Sequence, residues 1–108
     1  MSTKRNVTWI GKRVTESAPH KMIESLAGEY LGYLWMLPDF LVIQHIKRNI
    51  EQYYVSENGK KIKVVLGIHE GKEYLKTEQD GYSPDTLLHL PTLHTERLEL
   101  VKKSRFEF

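Results

Sequence analysis

The sequence predicts an α+β domain: a small antiparallel sheet of three to five strands, folded as a hairpin meander and packed by one α-helix. Three observations predict it. Val42, Ile43, Ile46 and Ile50 recur at spacings of three and four, the apolar stripe of a helix with one buried face. From Tyr53 onward, β-branched and aromatic residues take over in short runs, as in strands. Between Tyr53-Tyr54-Val55 and Ile62–Leu66 stands Asn58-Gly59, a pair that type I′ hairpin turns favour because both central residues need positive φ.

Taken in order, Met1 to Asn6 is polar and expected to be flexible. Val7-Thr8-Trp9-Ile10 reads as a short strand closed by Gly11, with Arg13-Val14-Thr15 continuing it past a bulge. Ser17-Ala18-Pro19-His20 is loop chemistry, and Lys21 to Leu26 reads as either a second strand or a helical turn. Tyr30 to Leu37 is rich in aromatics and leucine, as a buried strand or connector would be. Pro38-Asp39 is a helix start signal, with the Asp39 carboxylate placed to accept from orphan N–H groups of the first turn. The helix is expected over Phe40 to Glu51, with Gln44, Lys47, Arg48 and Glu51 facing water. Gly67 marks a bulge or a close approach, and Glu70-Gly71-Lys72 a second turn. Glu73–Thr77 is the third strand, with Tyr74 and Lys76 on one face and Leu75 and Thr77 on the other. Residues 80–108 read as a largely irregular tail that Leu87, Leu88 and Leu90 pin onto the core, with Leu98–Val101 as a last strand or helical turn.

The 108 residues fit one domain, 1–108, large enough to bury a core without disulfides or a metal. No cysteine is present, which excludes disulfides, thiolate zinc sites and cysteine nucleophiles and fits a cytoplasmic protein. No apolar run approaches the ~20 residues of a membrane helix, and the N-terminus lacks the apolar segment of a secretory signal. The net charge is +2, too small to argue nucleic-acid binding from bulk electrostatics. The basic residues cluster, however: Lys4, Arg5, Lys12 and Arg13 precede the first acid, Lys60, Lys61 and Lys63 flank a turn, and Lys102, Lys103 and Arg105 lie near the C-terminus.

The chain from Pro19 to Pro91 also carries a recognisable string of motifs. They are Pro19-His20, Tyr53-Tyr54-Val55, Gly59-Lys60, Val64-Val65, Gly71-Lys72, Tyr74-Leu75-Lys76-Thr77, Asp80-Gly81, Pro84-Asp85, Leu87-Leu88 and Leu90-Pro91. In these it resembles the domain-of-unknown-function family catalogued as 3892, most closely from Tyr53 to Pro91. The resemblance implies a small α+β domain and no assigned activity. Thr86 stands where that family usually has Asn, which weakens any role resting on an amide there.

Candidate binding residues are Lys60, Lys61, Lys63, Lys76, Asp80 and Asp85. Lys76, Thr77, Asp80 and Asp85 form the densest polar cluster. As a site they would hold a small anion or nucleotide; the plainer account is turn and cap architecture, which these residue types commonly build. The histidines His20, His45, His69, His89 and His94 show no metal-ligand spacing, and a metal would need His20, His89 and Asp85 to converge in space. Trp9, Tyr30, Tyr33, Trp35, Tyr53, Tyr54 and Tyr74 are core candidates first, and a base-stacking platform beside the lysines second. No phosphate loop, nucleophile elbow or metalloprotease motif appears, so no catalytic residue and no cofactor is assigned. The reading is a non-catalytic binding module, with a protein partner or a second copy favoured. Nucleic-acid binding through the basic hairpin and aromatics comes second, and a small enzyme using His20, Lys76 and Asp85 third.

Overall fold

The computed structural model describes residues 3–93 and 106–107. The elements run β1 (Thr3–Asn6), β2 (Trp9–Lys12), α1 (Pro19–Met22), β3 (Ile23–Tyr30), β4 (Tyr33–Pro38), α2 (Asp39–Lys47), β5 (Glu51–Glu57), β6 (Lys60–His69), β7 (Lys72–Thr77), α3 (Asp85–Leu88) and β8 (Phe106–Glu107). The α+β class is as the sequence predicts, and β5, β6 and β7 form the expected antiparallel meander. The strands make two four-stranded sheets, ordered β1-β5-β6-β7 and β2-β3-β4-β8.

The first sheet gains β1, which pairs parallel with β5 from Thr3↔Glu51 to Asn6↔Tyr54. Thr3–Asn6, expected to be flexible, is thus a strand, fastened by the Arg5–Glu51 ion pair. The chain then steps from one sheet to the other within two residues. The Val7 N–H donates to Tyr54 O of the first sheet at 2.7 Å, and the Thr8 N–H to Ala27 O of the second at 2.8 Å. The bulge expected near Gly11 lies between Gly11 and Lys12. The strand stops there, and Val14-Thr15 is a turn rather than its continuation. Lys21–Leu26 divides between the two structures its sequence allowed: the last residues of α1, then the start of β3.

The two sheets share one core of Ile10, Ile23, Leu26, Trp35 and Leu37 from the second sheet and Tyr53, Val55, Val64 and Leu75 from the first. Val42 of α2 and Leu87 of α3 complete it, both fully buried. The helix α2 is shorter than its apolar stripe predicts. It ends at Lys47, Ile43 and Ile46 are only half-buried, and Ile50 is 48% exposed. Asn49 at φ 55° turns the chain out of the helix, so Glu51 opens β5 instead of closing α2. Asp39 is the first helical residue rather than the cap; its carboxylate accepts from the Phe40 N–H at 2.8 Å and pairs with Arg13 at 3.2 Å.

Three hairpin turns share one construction. Leu31-Gly32, Asn58-Gly59 and Glu70-Gly71 all have positive φ at both residues, the signature of type I′. Gly67 is a close approach: a side chain there would meet the Tyr74 ring at 2.5 Å. After β7 the chain crosses to α3 and then lays Thr92 beside Ile10, where Ile10 N–H donates to Pro91 O and Leu93 N–H to Ile10 O. Leu98–Val101, His94 and the basic residues Lys102, Lys103 and Arg105 lie outside the described residues.

Candidate binding surfaces

Asp80 and its neighbours are the most internally committed of the singled-out residues. One Asp80 oxygen accepts from the Thr77 N–H at 3.0 Å and the Thr77 hydroxyl at 2.9 Å. The other accepts from the Thr86 N–H at 3.2 Å and the Thr86 hydroxyl at 2.8 Å. Both threonines are buried. The carboxylate therefore ties the end of β7 to the start of α3. Lys76 Nζ donates to Gly81 O at 3.1 Å, and exposed Asp85 accepts from the Ser83 hydroxyl at 2.7 Å. The Thr86 hydroxyl, where the family usually has Asn, donates to Asp80 and accepts from Gln79 at 2.7 Å.

His20 does not join His89 and Asp85. Its ring lies 3.9 Å from that of His69 and packs near Tyr74 and Tyr82. Its Nδ1 shares a short hydrogen bond with the Tyr82 hydroxyl. The Tyr74 hydroxyl donates to Tyr82 O at 2.6 Å, so the loop before α3 is fastened over the end of β7. Burial lowers the His20 pKa below the ordinary imidazole value, helped by His69 and Lys21 and opposed by Glu70 and Glu16. Burial likewise raises the Tyr74 hydroxyl, with Tyr82 adding to the effect. His89 and Asp85 instead line an open depression of about 490 Å³ with Glu57, Gln79 and Asp80. Among the described residues no group of three or more histidine, aspartate or glutamate side chains is placed to hold a metal ion.

A polar network passes through the core that no sequence motif signals. Arg5 pairs with Glu51 and lies 5.1 Å from the Trp35 ring. Tyr53, fully buried, donates to Glu51 at 3.4 Å and shares a 2.7 Å hydrogen bond with His45 Nδ1. Burial, reinforced by Glu51, raises the Tyr53 pKa. The network joins β1, β5 and α2, and it could be found only from the pairing of β1 with β5.

The aromatics divide by position. Trp35 and Tyr53 belong to the core, Tyr30 and Tyr33 flank the β3–β4 turn, and Tyr54 stands on the outside of the first sheet. Lys4 Nζ sits over that Tyr54 ring, 5.9 Å from its centre. Lys60 and Lys61 are exposed around the Asn58-Gly59 turn, and Lys63 is half-buried opposite Tyr54. No helix of the described residues is long and apolar enough to cross a membrane.

No curated protein and no solved structure matches the chain. The family model described as "Protein of unknown function (DUF3892)" matches residues 10–91, from β2 through α3 to the strand contact beyond it. The Tyr74–Thr77, Asp80-Gly81 and Pro84-Asp85 motifs that this span contains form the β7–α3 clasp just described, and the chain belongs to the DUF3892 family.

Proposed function

We propose that the chain is a non-catalytic binding module that docks a protein partner on the tip of the β3–β4 hairpin. One observation carries this reading. Leu31 occupies the left-handed region at φ 52° while 79% exposed, with Tyr30 at 51% and Tyr33 at 45% exposure on either side. A leucine there costs about 1–2 kcal/mol over glycine or asparagine. Asn58-Gly59 makes the same turn without an apolar side chain. An apolar knob held out of the core at a cost fits an apolar socket on a partner, and tyrosine flanks suit a rim of hydrogen-bond acceptors. The non-catalytic part rests on Lys76, Asp80 and Asp85, whose polar atoms serve internal hydrogen bonds. A cytoplasmic location belongs to the same reading and rests on the cysteine-free composition.

The test replaces Tyr33 with a photo-crosslinking phenylalanine derivative in cells, with and without Leu31→Asn. The expected result is one discrete crosslinked protein that Leu31→Asn removes, although Asn suits positive φ and leaves the isolated domain as stable or more so. A product of twice the chain mass makes the partner a second copy. No discrete product, or one indifferent to Leu31→Asn, overturns the reading.

A further inference from the structure

We infer that the outer face of the β1-β5-β6-β7 sheet is a binding surface for single-stranded nucleic acid. Strand alternation decides which residues stand there. Tyr53, Val55, Val64, Leu75 and Thr77 are buried on the inner side. The register therefore turns Lys4 of β1, Lys61 and Lys63 of β6, and Lys72 and Lys76 of β7 outward. No outward strand position of this sheet holds a carboxylate: Glu51 and Glu73 fall on the inward parity. Acids occur at the rim, as Glu57 at the end of β5, Glu70 in the β6–β7 turn and Glu78 just past β7. Among the described residues, none lies within ion-pairing distance of these five lysines.

A net charge of only +2 is thus unevenly placed. The two acids on the inward parity of these strands pair with other cations, Glu51 with Arg5 and Glu73 with Lys47. Two aromatic rings stand among these lysines, Tyr54 between Lys4 of β1 and Lys63 of β6 and Tyr82 near β7. Tyr54 faces Lys63 across the strand pair, and 49% exposed Tyr82 lies over Tyr74. Rings with cations beside them suit bases and phosphates of a strand whose bases are free to stack. A duplex hides those base faces. The amide oxygens on this face accept locally, Gln52 from Tyr54 and Asn6 from Ser56, which holds both amides against their own strands and points to sequence-tolerant binding. The surface is separate from the Leu31 tip, so either reading can fail without the other.

The experiment titrates the full chain against fluorescent oligo(dT) and oligo(U), a matched duplex, inorganic polyphosphate and anionic phospholipid vesicles, over a range of salt. Binding to the single strands is expected to weaken with salt at a log–log slope of about −3, as roughly four neutralised phosphates give. Lys61→Gln/Lys63→Gln/Lys72→Gln should lose at least tenfold in affinity and flatten the slope by about 2, with Lys76 left in place because its ammonium also holds Gly81 O. Tyr54→Ser should lose about tenfold for the single strands and keep the slope. Lys12→Gln with Arg48→Gln, off the face, and Leu31→Asn should bind as wild type; thermal melts confirm that each variant is folded. Absence of binding at low salt, equal binding of duplex, polyphosphate or vesicles, or equal loss in the off-face variant each overturns the inference.

Discussion

Asp80 accepts four hydrogen bonds from two buried threonines, so its removal strands donors rather than merely deleting a contact. Asp80→Ala is expected to destabilise by about 3 kcal/mol in denaturant unfolding, the scale of leaving buried polar groups unmade. A midpoint unchanged from wild type would show that the clasp between β7 and α3 is not structural. His20 makes a pH-dependent contribution whose sign follows from its lowered pKa. The folded state resists protonation, so between the ordinary imidazole value of about 6.5 and the depressed folded value the unfolded chain binds more protons. Stability from this group is full above that ordinary value and falls as pH drops through the window. Thermal melts from pH 7.5 to 5 should show a decline that His20→Gln reduces; an equal decline in the variant would assign it to other groups. The sequence marked Asp80 and Lys76 as a cluster, and turn chemistry explains them. It could not place His20 on His69, because that contact joins α1 to the far end of β6, which no local pattern encodes.

At the scale of elements, local chemistry and local structure agree where the turn is short. Asn58-Gly59 has φ of 51° and 78°, and Gly59→Val is expected to destabilise by ~1–2 kcal/mol because a β-branched residue is strained there. Wild-type stability in that variant would mean the turn had relaxed to another form. The Leu31-Gly32 turn has the same geometry but carried no Asn or Asp to announce it, and Tyr30–Leu37 therefore read only as a strand or connector. The helix shows the opposite error. Its apolar stripe runs on to Ile50, but the chain leaves the helix at Asn49, so the last apolar position belongs to the exit loop. Val42→Ala should consequently cost about 2 kcal/mol and Ile50→Ala close to nothing, with Ile46→Ala between them. A ranking led by Ile50 would contradict the burial described.

For the whole molecule, what the sequence concealed was the non-local pairing. The β5–β6–β7 meander is closed by two-residue turns and alternates regularly, and those signals are local. The parallel pairing of β1 with β5 joins residues separated by nearly half the chain, and a strand of mostly polar residues gives no period to detect. Residues 80–108 read as an irregular tail pinned to the core by Leu87, Leu88 and Leu90, and its described part, Asp80 to Leu93, fastens both sheets. Leu87 enters the shared core, Asp80 clasps β7, and Pro91 and Leu93 hydrogen-bond to Ile10 on β2. Truncation before Leu87 therefore opens the core and frees the outer edge of β2 together, and unpaired edges beside exposed apolar surface favour association. Leu87→Ala isolates the packing part and should cost about 3 kcal/mol while eluting as wild type does. The truncate is expected to lose more than that and to elute as aggregate in size-exclusion chromatography. A soluble truncate no less stable than Leu87→Ala would show that the Ile10 contacts contribute nothing and that the two sheets hold together without the clasp.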